Sequence, residues 1–168
     1  MESDVALLIL RVWLAIVFFA HGINHGRTQQ GTATWFASKG FKQAPLLARM
    51  SSLGELAVGA GLLLGLLTPF AAAGLMVIMV TAFWSVHRFS GFFVFRRPDE
   101  GYEYVVTLAV AALVLAILGP GAYSIDSSLG IADDFDGWLG AGIALAGIVL
   151  GFLQLAALWK KPANPIST

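Results

Sequence analysis

The chain has 168 residues, of which 58% are hydrophobic and 12% charged, and its formal net charge is zero. A soluble domain is about one-quarter charged, and a chain this small cannot hide so much apolar surface, so the bilayer is expected to be its solvent. The charge balance offers nothing to nucleic acid. With no cysteine, the chain itself has no disulfide, thiolate metal site or redox thiol.

The first predicted span covers residues 5–24 and contains Arg11. The chain opens Met1, Glu2, Ser3, Asp4, which is acidic where a signal peptide is basic, so this span is expected to stay in the mature protein. A basic connector follows over residues 25–49. Within it, residues 32–41 are expected to form a short interfacial helix, with Trp35 and Phe36 toward lipid and Lys39 toward water.

Residues 56–86 carry no charge and, extended back to about residue 46, hold the second and third spans. The break falls at Leu67, Thr68, Pro69 and Phe70, because proline ends one helix and suits the first turn of the next. That makes a tight helical hairpin. A polar connector covers residues 87–103, with the aromatic stretch 89–95 at the membrane surface. The fourth span is residues 104–118, stopped by Gly119, Pro120 and Gly121. An acidic connector carries Asp126, Asp133, Asp134 and Asp136. The fifth span, 138–159, is uncharged and bracketed by Trp138 and Trp159, and Lys160, Lys161 and Pro162 end it.

The expected fold is therefore all-α: a polytopic membrane protein with a four-helix core over residues 1–130 and a fifth, C-terminal transmembrane helix and tail over 131–168. With alternating sides, Arg27, Lys39, Lys42, Arg49, Arg88, Arg96, Arg97, Lys160 and Lys161 all fall on one side, and no basic connector residue falls on the other. The positive-inside rule then puts the N-terminus outside and the C-terminus in the cytoplasm, in an inner, cytoplasmic membrane. Gly61 with Gly65, and Gly147 with Gly151, mark seams where helices approach closely, expected within the subunit; an oligomer also remains open.

An ionisable group at the centre of a span costs roughly 2.5–3.5 kcal/mol, so each one needs a reason. His21, His25, Glu55, His87 and Glu103 are expected at a similar depth, at the ends of four helices. His21 and His25 share a helix face, and Arg11 lies within about 80° of both. Arg11 has two possible partners, Glu55 inward or Asp126 outward. Three uses of the cluster stay open. It can be a hydrogen-bonded network joining helix ends. It can be a quinone or small polar ligand site, where His or Glu exchanges a proton with a carbonyl oxygen. Or it can be an iron or zinc site drawn from His21, His25, Glu55, His87 and Glu103. His21-Gly-Ile-Asn-His25 lacks the Glu of the metalloprotease helix.

Leu10 and Arg11, followed by Phe18, Phe19, Ala20, His21 and Gly22, resemble the opening of the DoxX family of small multi-pass membrane proteins. So do Gly54, Glu55 and Leu56 with Gly59, Gly61 and Gly65, running into Leu66, Leu67, Thr68 and Pro69. Glu100 to Tyr104 is similar to the start of that family's last core helix, and Gly119 to Asp126 to its closing motif. The resemblance covers about residues 7–130. It implies a four-helix membrane core and a link to redox or sulfur metabolism; the related DoxD type is the large membrane subunit of a quinone-reducing thiosulfate dehydrogenase. It also implies Arg11, His21, Glu55 and Glu103 as the family's polar core. The expected function is a redox-associated membrane subunit, quinone-linked or serving sulfur or oxidative-stress metabolism, acting with partner proteins on the cytoplasmic face. If it is an enzyme, it is a quinone-linked oxidoreductase subunit. The alternatives are a non-catalytic scaffold that docks soluble redox enzymes on basic loops, and a small-molecule or proton carrier.

Overall fold

The structure, a computed structural model, describes residues 1–95 and 100–162. Seven α-helices occur in chain order: α1 (Glu2–Arg27), α2 (Gln29–Ser38), α3 (Ala44–Leu64), α4 (Thr68–Ser85), α5 (Glu103–Leu118), α6 (Ile125–Ser128) and α7 (Gly137–Leu158). The fold is a polytopic membrane bundle of α1, α3, α4, α5 and α7. Four of these are long and apolar enough to cross a membrane, and α5 is a shorter apolar helix.

Helix α1 runs further than expected at both ends. Nothing breaks it before Thr28, and its charges suit the helix dipole: Glu2 and Asp4 lie in the first turn, His25 and Arg27 in the last. The extension carries His25 onto the helix. Helix α2 starts at Gln29 rather than residue 32. Its aromatic side chains do not both face lipid: Trp35 is exposed, but Phe36 turns inward onto Phe41, ring centroids 5.3 Å apart.

The α3–α4 hairpin forms where Pro69 predicts it. Gly65 and Leu67 both take left-handed backbone, with φ of 61° and 48°. A non-glycine residue there is strained, and the Asp126 carboxylate, across from α6, holds the turn. It accepts from Leu67 N–H at 2.7 Å, Thr68 N–H at 3.0 Å and Thr68 Oγ1 at 2.9 Å.

Helix α5 has 16 residues, about 24 Å of rise, short of a hydrocarbon core of about 30 Å. The chain before it lengthens the element: Gly101, Tyr102 and Glu103 donate their N–H groups to the Phe93, Gly91 and Phe92 carbonyls at 3.1, 3.0 and 2.9 Å. Unbonded helix-start N–H groups are costly near lipid, and this loop satisfies two of them, those of Tyr102 and Glu103.

Helix α7 lies along α4 and α5. A Cβ at Gly147 would overlap the Ala73 carbonyl oxygen and sit 2.8 Å from Met76 Cβ, and one at Gly151 would sit 3.1 Å from Val80 Cβ. This glycine pair serves packing inside the subunit. Gly61 does the same within the hairpin, 3.0 Å from Ala71 Cβ by the same test.

After α7 the chain pairs with the α2–α3 linker. Lys42 N–H donates to the Leu158 carbonyl at 2.8 Å, Lys160 N–H to the Gly40 carbonyl at 3.0 Å, and Trp159 Nε1 to the Lys39 carbonyl at 2.8 Å. Phe41 and Trp159 form an isolated antiparallel bridge there.

The bundle thus has two ends. One, the hairpin end, gathers the start of α1, the α3–α4 turn, α6 and the acidic connector. The other, the α2 end, gathers Arg27, Lys39, Lys42, Arg49, Arg88, Lys160 and Lys161. Arg96 and Arg97, counted with them from sequence, lie outside the described residues.

Candidate functional site

A cavity of about 500 Å³ lies toward the α2 end. Helices α3 and α4 touch near their turn, where a Cβ at Gly74 would sit 2.8 Å from Val58 Cγ2. Further on, the cavity opens between them. Val17, Phe18, His21 and His25 of α1 and Tyr104, Val105 and Leu108 of α5 complete the walls, and Trp35 and Phe36 of α2 close one end.

Glu55 is the most deeply placed acid in this cavity, 4% exposed. A buried carboxylate needs partners, and it has two. His25 Nδ1 lies 2.9 Å from Oε2 and 3.1 Å from Oε1, and Ser51 Oγ donates to Oε1 at 3.0 Å. Ser51 sits one turn before Glu55 on α3, so the helix itself supplies that donor. The His25 contact depends on how closely α1 meets α3. At Gly22 a Cβ would lie 2.9 Å from Leu56 Cγ and 3.1 Å from Glu55 Cβ, so only glycine lets the backbones meet here. Ser52 Oγ then reaches across to the Gly22 carbonyl at 2.8 Å. With Nδ1 engaged by the carboxylate, Nε2 is the His25 ring atom left to meet a ligand.

His21, one turn before His25, has its ring centroid 6.1 Å from that of His25 and stacks on Tyr104 at 6.4 Å. Among the described residues it has ring contacts and no hydrogen-bond partner. His87 lines the same cavity, with Nδ1 2.7 Å from the Glu100 carbonyl oxygen. A carbonyl only accepts, so Nδ1 carries the proton. Four of the six residues expected to cluster, His21, His25, Glu55 and His87, therefore share one cavity.

Two do not. Glu103 opens α5 and is half-buried outside the cavity lining. Tyr104 and Leu108 define the face of α5 that looks in, and Glu103 is about 100° off Tyr104. Arg11 lies ten residues before His21, about 15 Å along α1, and its partners are at the hairpin end. It is fully buried and donates through Nη1 to the Leu62 carbonyl at 3.3 Å and the Leu63 carbonyl at 3.5 Å, and through Nη2 to the Tyr123 carbonyl. Leu62 and Leu63 lie in the last turn of α3, where a cation is favoured. Gly65 makes room, since a Cβ there would overlap Arg11 Nη1. Arg11 thus turns outward and ties the hairpin to the segment after α5.

Among the described residues no group of three or more His, Asp or Glu side chains is placed to hold an ion. His25 and Glu55 bond each other, His87 is committed to a carbonyl, and Glu103 is elsewhere. Sequence reasoning did not single out Ser51, Tyr104 or Phe36. For Ser51 the signal was present, four residues before Glu55; for the aromatics nothing set them apart from other interfacial rings.

The DoxX family model matches residues 6–88, which takes in α1 to α4 with His21, His25 and Glu55. An uncharacterized protein of Haemophilus influenzae is 30% identical over 145 residues, 82% of this chain and 91% of that relative. No solved structure matches.

Proposed function

This chain belongs to the DoxX family, and from that premise we propose that it is a redox-associated membrane subunit whose cavity takes a quinone ring. The observation that carries the proposal is the His25–Glu55 pair, backed by Ser51, set at the wall of an otherwise largely apolar cavity of about 500 Å³. That volume falls within the roughly 300–1,000 Å³ range of ligand pockets.

The residues present suit such a ring. Val58, Val77, Ile78 and Leu108 offer apolar walls, and Phe36 and Tyr104 offer flat faces. A bound quinone supplies two carbonyl oxygens that become hydroxyls on uptake of two electrons and two protons. His25 Nε2 exchanges a proton at one of them. Glu55 accepts the Nδ1–H and stabilises the imidazolium when the ring holds both protons. Ser51 keeps the carboxylate turned toward His25. His87, with Nδ1 fixed by the Glu100 carbonyl, offers Nε2 as a second polar contact.

The chain carries no electron-transfer centre of its own among its recognisable motifs, so a soluble redox partner is the expected electron source. The basic residues at the α2 end suit docking an acidic surface of that partner, with this end in the cytoplasm and the N-terminus outside an inner membrane. In this reading residues 1–130 form the family core, and residues 131–168 add α7 behind α4. The same basic end supports the second reading, a non-catalytic scaffold for soluble redox enzymes.

Quinone extracted from the wild-type protein in mild detergent, compared with His25→Gln and Glu55→Gln, separates the two. Near-stoichiometric quinone in wild type, falling at least about tenfold in either variant, supports the redox subunit. Equal, trace quinone in all three, with soluble enzymes retained by each, leaves the scaffold.

A further inference from the structure

A cationic, aromatic cluster lies on the outside of the bundle, outside the cavity lining. Where α4 ends, the Arg88 guanidinium carbon sits 3.9 Å from the Trp84 ring centroid and 4.5 Å from that of Phe89. Both distances are well inside the range of cation–π attraction. Lys161 Nζ, arriving from the chain after α7, lies 5.2 Å from the same Phe89 ring. Two cations from segments distant in sequence are thus gathered round one aromatic side chain. Like charges repel, and the rings offset that only in part.

Among the described residues the Arg88 head group has no hydrogen-bond partner. Nε is buried without a hydrogen-bond partner, and no carboxylate pairs with Arg88 among the described residues. Its planar face is committed to rings and Nε is enclosed, so the Nη1–Nη2 edge is the part with no partner among the described residues. That edge is the part of a guanidinium that grips a phosphate in a bidentate way.

The surroundings fix the source of the phosphate. Phe89 is 54% exposed, and Trp84 meets Phe152 of α7 edge to face, centroids 5.3 Å apart. From there an apolar exposed strip of α7, through Phe152, Val149 and Leu145, runs toward the middle of the bilayer. A cationic, aromatic pocket at the membrane surface joined to a lipid-facing strip matches a molecule with an anionic head and acyl chains.

We propose that Arg88 and Lys161, positioned by Trp84 and Phe89, form a site for the phosphate of an anionic phospholipid, whose acyl chains lie along α7. The site is independent of the cavity and of any redox role.

The test uses the full-length protein in detergent micelles holding equal phosphatidylglycerol and phosphatidylcholine, with bound lipid counted by native mass spectrometry. Wild type is expected to retain phosphatidylglycerol in preference. Arg88→Gln/Lys161→Gln is expected to reduce that retention about tenfold. Arg27→Gln/Lys42→Gln, which removes the same charge at the same end, is expected to leave it unchanged. Lys161→Gln alone, on an exposed side chain, gives a partial loss without touching the fold and serves if Arg88→Gln fails to purify. No preference in wild type, or equal loss in the Arg27/Lys42 control, overturns the site. Full displacement of the lipid by millimolar inorganic phosphate would make it a free-anion site and overturn the lipid assignment.

Discussion

At the scale of single residues, a glycine governs the geometry of the cavity wall. Gly22 has no functional group, yet it sets the distance at which His25 meets Glu55. Gly22→Val is expected to push α1 away from α3 against Leu56 and Glu55 Cβ, and to cost about 1–3 kcal/mol through overpacking. The check is unfolding by denaturing detergent, together with loss of the bound ring if the cavity holds one. The ionisable members of the site were legible in the sequence because charge in lipid is expensive and therefore conspicuous. Ser51 was overlooked because serine is unremarkable in a membrane helix, although its place four residues before Glu55 was a signal. Arg11 shows the limit of angular reasoning. The helical wheel places it near the face of His21 and His25, but a wheel carries no depth, and about 15 Å of rise separates it from the cavity.

At the scale of elements, the α3–α4 turn was legible from Pro69 alone, and its stabilisation was not. Two left-handed residues, Gly65 and Leu67, need an outside partner, and it comes from Asp126, far along the chain. In the sequence, Asp126 read as one member of an acidic connector and a possible partner of Arg11; in the structure it is 3% exposed and its carboxylate bonds the turn. Asp126→Ala leaves the Leu67 and Thr68 N–H groups and the Thr68 hydroxyl without their acceptor. The expected cost is about 2–4 kcal/mol, because hydrogen bonds to a charged group are the stronger kind. Faster amide exchange at Leu67 and Thr68, with α7 unaffected, is the local signature. The boundaries of α1 and α2 were misjudged for a related reason: connector residues rich in polar groups extend a helix when no proline stops them, and Gly26 and Gly31 stay within the helices.

At the scale of the whole molecule, the five apolar helices and the gathering of basic residues at one end were both readable, since each depends on composition summed over long segments, although only four of the helices are long enough to cross a membrane. The way α7 joins the rest was only half readable. The Gly147 and Gly151 pair announced a close contact without naming the partner, and the structure assigns it to α4. Gly147→Leu is expected to separate α7 from α4 and lower the melting temperature in detergent by several degrees or more, while His25 and Glu55, on the far side of α4, keep their bond. The strap formed after α7 carries the larger consequence. Main-chain bonds from Leu158 and Lys160 to Lys42 and Gly40 fasten the C-terminal side of α2 to a helix that begins at the opposite end of the bundle. Helix α2, which caps the cavity, is thereby latched like a hatch bolted at its free edge. A ligand is then expected to reach the cavity by a route that breaks none of these backbone bonds, between helices rather than past α2.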